Sequence, residues 1–279
     1  SQSTMRTVLA FLFRLLFRIP FLKGTFFGFH KRFFKPYNLF RGIIKTVSFG
    51  SLKIKLHIDD WIQQNIYFLG EYEGAELKLL NQHLASNSTF IDIGANFGLY
   101  TLSASKKITN SGKIICFEPY PENYQALMNN ISINNLSKIT AENKAVGDSQ
   151  GKLKLYYQPN ENNLGMVSAS YIENSVVHEV EVISIDEYLE TQPLNKIDLI
   201  KIDVEGFEYQ VLSGMKKALS TYSPKILIET FDVDDSNIDG QKAHNFLTQL
   251  GYKKHFIDDN GKLSNKNMNT NRKNYFYQK

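Results

Sequence analysis

The chain has 279 residues, 42% hydrophobic and 22% charged, with a formal net charge of +4. This is the balance of an ordinary soluble globular protein, long enough for one large α/β domain or for a domain with an extension. Its single cysteine, Cys116, sits in the apolar run Ile114–Phe117; it excludes an internal disulfide framework and suits a reducing, cytoplasmic setting.

Charge is divided unevenly. Residues 1–58 contain no Asp or Glu but eleven of the 32 basic residues, leaving 21 basic against 28 acidic residues in 59–279, a balance of −7. We therefore expect two regions, a basic extension over 1–58 and a catalytic domain over 59–279. Ten of the 20 phenylalanines lie before residue 41, and Val8 to Ile19 is apolar apart from Arg14 and Arg18. Those two arginines break any span of roughly 20 uncharged residues that a transmembrane helix needs. The interrupted apolar run is also a poor secretory signal. Two readings stand side by side for residues 5–45: peripheral contact with a membrane interface, or a helical cap packed on the protein or a second subunit. No RNA-binding motif accompanies the basic residues, so nucleic acid is not an expected partner. A homo-oligomer is compatible with the sequence.

After Asp59 strands alternate with helices. Leu77, Leu80 and Leu84 share a helical face ahead of a strand Thr89–Ile93. A helix from Leu99 follows, then a strand Lys113–Phe117 and a helix with Tyr124, Leu127, Met128 and Ile131 on one face. A strand through Ile139–Val146 comes next. Lys152–Tyr157 and Glu179–Ile185 read as strands flanking an irregular stretch, Pro159–Ser175. The rhythm resumes with a strand Asp198–Ile202, a helix through Val211 and Met215, a strand Lys225–Glu229 and a helix around Ala243–Leu250. Tyr252–Asp258 and Asn274–Tyr277 then make an antiparallel hairpin. This pattern predicts a doubly wound, Rossmann-like α/β sheet, mostly parallel, with a basic N-terminal helical extension. Ligands of such sheets bind beyond the carboxyl ends of the strands.

Three motifs fall at those ends. In Asp92-Ile93-Gly94-Ala95-Asn96-Phe97-Gly98 the glycines allow a sharp turn into a helix, and Asp92 can meet a cationic amino group. A dinucleotide fingerprint would carry a third glycine where Asn96 stands. Phe117-Glu118-Pro119 puts a carboxylate where both ribose hydroxyls of a nucleoside can donate to it. Lys201-Ile202-Asp203-Val204-Glu205-Gly206-Phe207-Glu208 places three carboxylates beyond a central strand, where they repel unless a cation, a substrate or Lys201 compensates.

With Asn143-Lys144-Ala145-Val146-Gly147-Asp148, these segments resemble the FkbM methyltransferase family in order and spacing, from about Tyr72 to Glu229 and more weakly to Phe276. The resemblance implies a class I methyltransferase fold, S-adenosylmethionine as cofactor, and transfer to an oxygen; the polar character of Pro159–Ser175 suits a sugar, glycan or other polyhydroxylated small molecule as acceptor. The resemblance also implies that Asp92, Gly94, Asn96 and Gly98 hold the methionine part, Glu118 the ribose, and Asn143, Ala145 and Val146 the adenine. Asp203 and Glu205 would face the sulfonium and the acceptor.

The expected bases are Asp203 or Glu205, with His178 as a third candidate if the Pro159–Ser175 stretch folds over the site. That stretch is also the expected place of acceptor recognition. No histidine ligand set is evident and no metal is assigned, although Asp203, Glu205 and Glu229 could share a divalent cation. A nicotinamide-dependent oxidoreductase and a non-catalytic, membrane-anchoring nucleotide fold are the competing readings.

Overall fold

A computed structural model describes residues 2–109, 111–157, 175–230, 238–267 and 273–279. These residues form two compact units that divide between Gly74 and Ala75.

The first unit is built on phenylalanine. Helix α1 (Gln2–Phe17) is followed by the short helices α2 (Pro20–Lys23) and α3 (Phe26–Phe29) and a π-helical turn, His30–Phe34. Phe17, Phe26, Phe34, Phe40 and Phe68 are buried together, with ring centroids 4.8 to 6.2 Å apart in successive pairs. A hairpin follows, β1 (Ile44–Phe49) against β2 (Leu52–His57), antiparallel with Phe49 opposite Leu52. The extension is thus not wholly helical as expected. The alternation of buried Ile54, Leu56 and Ile58 has the period of a half-buried strand. Helix α4 (Trp61–Leu69) starts where the Asp60 carboxylate accepts the Gln63 N–H at 3.0 Å, and ends at Gly70, with φ of +86°. Phe68 of α4 packs edge-on against Phe17 and tilted against Phe26, so the unit reaches Gly74 and the boundary expected at residue 58 falls inside it.

The second unit begins at Ala75, one residue into α5 (Gly74–His83), which buries Ala75, Glu76, Leu79 and Leu80 and leaves Leu77 half-buried. In chain order there follow β3 (Thr89–Ile93), α6 (Leu99–Ser105), β4 (Lys113–Phe117), α7 (Pro121–Ser132) and β5 (Ile139–Glu142). Then come β6 (Ala145–Val146), β7 (Gly151–Tyr157), β8 (Val176–Ile183), α8 (Ile185–Thr191) and β9 (Leu199–Ile202). Next are α9 (Glu208–Ser213), α10 (Lys216–Tyr222), β10 (Lys225–Glu229), α11 (Ile238–Gln249), β11 (Lys253–Ile257), β12 (Leu263–Ser264) and β13 (Asn274–Gln278).

The main sheet has the order β12-β11-β13-β10-β9-β3-β4-β5. Neighbours from β10 to β5 are parallel, and β13 inserts antiparallel between β10 and β11. The chain moves outward from β3 to β4 and β5, then returns to the other side of β3 as β9. The switch point lies between β3 and β9, where a doubly wound sheet opens a crevice at its carboxyl edge.

Three expected elements differ. The strand proposed for 139–146 is two, because the chain leaves the main sheet after Glu142 and Ala145–Val146 pairs with β8 in a small sheet of order β6-β8-β7. The helix proposed through Val211 and Met215 is broken at Gly214, where a Cβ would stand 1.9 Å from the Gly147 carbonyl oxygen. The Asp186 carboxylate, accepting the Lys217 and Ala218 N–H groups at 3.0 and 2.9 Å, starts α10 afresh. On α7, Leu127 and Ile131 face the core, whereas Met128 is exposed.

Candidate active site

All five residues of β3 are buried, and the chain leaves the strand through a turn that no ordinary sequence adopts cheaply. Gly94, Asn96 and Gly98 have φ of +78°, +52° and +97°. The Gly94 and Ala95 N–H groups both donate to the Phe117 carbonyl at 3.0 Å, folding the turn over the end of β4. A Cβ on Gly94 would lie 1.8 Å from the Asp203 carbonyl oxygen, so only glycine lets the turn touch the end of β9. Across that contact the Asp203 N–H donates to the Ile93 carbonyl at 3.0 Å. Beyond β9, Glu205 and Gly206 are also left-handed, with φ of +49° and +90°. Strained backbone concentrated at two facing strand ends is a mark of a functional site.

Glu118 ties the motifs together. Its Oε2 accepts the Asn96 N–H at 2.7 Å and its Oε1 the Tyr120 N–H at 2.9 Å. Asn143 Nδ2 donates to the backbone carbonyls of Glu118 and Pro119 at 2.8 and 3.1 Å. Burial pushes the Glu118 carboxyl up to about 7, against the opposing donation from Tyr120, Asn96 and Asn123. A carboxylate has about four lone-pair sites, so beside the Asn96, Tyr120 and Asn123 donors about one remains for a ligand hydroxyl.

Asp92 sits deeper than the sequence suggests. It has no exposed surface, accepts the Thr101 hydroxyl at 2.7 Å, and leaves Oδ1 without a hydrogen-bond partner among the described residues. Burial raises its carboxyl pKa, while Lys201, opposite it in the β3–β9 register, acts the other way. Lys201 is itself buried, pairs with Asp203 at 3.0 Å and lies 4.3 Å from the centre of the Tyr100 ring.

Asp203, Glu205, Glu208, Glu229, Thr230 and Lys273 line a small depression beyond β9 and β10 with a volume of about 10 Å³, room for about one water. Glu205 is exposed, yet the surrounding protein, and then the carboxylates of Asp203 and Glu208, push its carboxyl up to about 7. Glu208 is buried and accepts the Gly206 N–H at 2.9 Å. Thr230 is buried, and its hydroxyl oxygen has no hydrogen-bond partner among the described residues. No group of three or more His, Cys, Asp or Glu among the described residues is arranged to hold a metal ion, so Asp203, Glu205 and Glu229 do not form a ligand cluster there.

The structure therefore brings together Gly94, Asn96, Gly98, Glu118, Asn143, Asp203 and Glu205. Ala145 and Val146 are buried in the small sheet behind Asn143. His178 is half-buried on β8, its ring 5.4 Å from Tyr120 and 5.9 Å from Tyr157; its contacts lie on the Glu118 side. Of the expected acceptor-recognition stretch Pro159–Ser175, only Ser175 lies among the described residues. Tyr120, Tyr157, Thr101, Thr230 and Lys273 were not foreseen. Thr230 directly follows β10, and a search of every strand tip would have found it.

The residues present suit an adenosyl sulfonium. The turn at Gly94 leaves backbone in place of side chains, Glu118 retains an acceptor site, and the carboxylates beyond β9 complement positive charge. Comparison with known proteins agrees. Residues 92–254 match the model of the methyltransferase FkbM domain. The methyltransferase sdnD of Sordaria araneosa is 31% identical over 179 residues, 54% of this chain and 69% of that protein. The hexuronic acid methyltransferase AglP of Haloferax volcanii is 25% identical over 162 residues, 58% of this chain and 64% of that protein. A methyltransferase FkbM structure from Methylobacillus flagellatus, 17% identical, superposes with a TM-score of 0.50 over 77% of this chain and 52% of its own, which shows the shared fold. The nicotinamide-dependent and non-catalytic readings are set aside by these matches. The chain belongs to the FkbM family of methyltransferases, enzymes of class I fold whose cofactor is S-adenosylmethionine.

Proposed function

We propose that this enzyme methylates a hydroxyl of a sugar, a glycan or another polyhydroxylated small molecule. The observation that carries the reading is the contact of the glycine turn with both Glu118 and Asp203. Asn96 N–H lies 2.7 Å from one, and the Gly94 Cα abuts the backbone of the other. A cofactor bound at the turn would therefore border the acidic depression. AglP, by its name a hexuronic acid methyltransferase, adds a hint toward saccharides.

In this proposal Gly94, Asn96 and Gly98 receive the amino-acid part of the cofactor and Glu118 its ribose. Asn143 borders the adenine, with Ala145 and Val146 backing it. Asp92 works from beneath, holding Thr101 and facing Lys201, because it has no surface to offer a ligand directly. His178, with Tyr120 and Tyr157, walls the Glu118 side. Bound S-adenosylmethionine supplies an electrophilic methyl carbon. The protein's part is to align an acceptor oxygen, which can contribute roughly 7–11 kcal/mol, and to take its proton. Glu205 is the better base, since a carboxyl at about 7 is poised for proton transfer near neutral pH. Asp203 is committed to Lys201 and orients the acceptor hydroxyl.

The test is transfer of labelled methyl groups from S-adenosylmethionine to soluble saccharides, uronic acids, polyols and amines. The reading expects alkali-stable methyl ethers on hydroxyls. Label confined to amines, or to alkali-labile esters of carboxyl groups, would refute it.

A further inference from the structure

We propose that the first unit is a docking surface for an anionic lipid bilayer, on which α1 lies in the plane of the interface. The inner side of α1 is accounted for: Ala10 and Phe17 are fully buried, and the Phe13 ring lies 5.0 to 6.5 Å from those of Phe17, Phe29, Phe34 and Phe40. Its outer side is equally apolar. Met5, Val8, Phe11, Leu12 and Leu15 are each more than half exposed and fall in an arc of about 120° around the helix. A helix that is apolar on both sides belongs in an apolar environment on both sides.

The pattern continues past the helix. Phe21 is 80% exposed, and Phe27, Phe33 and Tyr37 also face outward. Of the fifteen large hydrophobic side chains that stand exposed among the described residues, ten lie between Met5 and Tyr37. Such a concentration marks an interaction surface, whereas scattered exposed side chains do not.

Charge selects the occupant. Lys31, Arg32, Lys35 and Arg41 are exposed in the same stretch, and no acidic residue precedes Asp59 in the chain. Anionic head groups complement that field while acyl chains receive the phenylalanines. A second copy of this chain would set two strongly basic faces against each other, which like-charge repulsion opposes. Nucleic acid would answer the charge but not the aliphatic face of Met5, Val8, Leu12 and Leu15. No helix among the described residues is long and apolar enough to cross a membrane, and the 16 residues of α1 carry Arg6 and Arg14. The geometry therefore points to a helix that lies on the bilayer.

The experiment is co-sedimentation of the full chain with vesicles of phosphatidylcholine alone or mixed with phosphatidylglycerol, at low and high salt. Binding is expected to the mixed vesicles and to fall at least about tenfold without the anionic lipid or at high salt. The triple variant Phe11→Ser, Leu15→Ser, Phe21→Ser changes only outward side chains and should lose binding about tenfold or more, with unchanged helical circular dichroism. A charge variant, Lys31→Gln, Arg32→Gln, Lys35→Gln, should give a comparable loss and leaves the apolar face intact. Binding indifferent to lipid charge, or kept by both variants, overturns the proposal. So does a concentration-dependent dimer that binds no vesicles and that the triple substitution dissociates. Cofactor titration of the same variants separates this proposal from the O-methyl transfer reading, because the residues assigned to the cofactor all lie in the second unit.

Discussion

In the unit that begins at Ala75, charge is buried: Asp92, Glu118, Lys201 and Glu208 each keep 5% or less of their surface. In the unit that ends at Gly74 it is hydrocarbon that is exposed, with Met5, Phe11, Leu15, Phe21 and Phe27 turned outward. Both depart from the ordinary partition of polar and apolar groups, in opposite directions. Buried charge costs free energy unless paired, and is kept where chemistry needs a preorganised field. Exposed hydrocarbon is kept where another apolar phase will cover it. In the two proposals made above, the first departure marks where the molecule reacts and the second where it attaches to a bilayer.

Substitutions can break this contrast. Within the first unit, Phe17→Ala removes a ring from the centre of its cluster and should cost about 3–5 kcal/mol, measured by denaturant unfolding. A small effect would mean that the phenylalanines form no core of their own. Gly94→Ala forces a Cβ to within 1.8 Å of the Asp203 carbonyl oxygen at a left-handed φ. A loss of at least about 3 kcal/mol in stability is expected, together with loss of cofactor affinity. Wild-type stability in that variant would mean the two strand ends do not touch.

Glu205→Gln should lower kcat about a hundredfold while leaving cofactor affinity nearly unchanged. The sign of the pH effect follows from the role. A base works deprotonated, so with its carboxyl at about 7 wild-type kcat should fall as pH drops below about 7, and the variant should lack that limb. A pH profile identical in both would remove Glu205 from proton transfer. The smallest effect belongs to Phe21→Ala, which should change stability by no more than about 0.5 kcal/mol despite the size of the ring removed. A large loss would place Phe21 in a packed core.

The central strands were legible because their signals are local. Thr89–Ile93 and Lys113–Phe117 are apolar runs closed by Gly94 and Pro119, and the structure reproduces both boundaries. The motif residues at the ends of β3, β4 and β9 were legible for the same reason. What escaped depends on partners far along the chain. The separation of 139–142 from 145–146 accompanies pairing of β6 with β8, nearly forty residues later. The break at Gly214 answers to the backbone of Gly147. The place of Asp92 beneath the turn depends on Thr101 and Lys201. The N-terminal hairpin had a local signal, the alternation Ile54, Leu56, Ile58, hidden behind the more prominent phenylalanines.

Calorimetric titration of S-adenosylhomocysteine into the wild-type chain and into Glu118→Ala tests the central claim most directly. Glu118 holds the glycine turn and retains an acceptor site for a ligand. The account predicts one saturable site per chain in the wild type, weakened about a hundredfold in the variant. Absence of binding to the wild type, or equal affinity in both proteins, would contradict it.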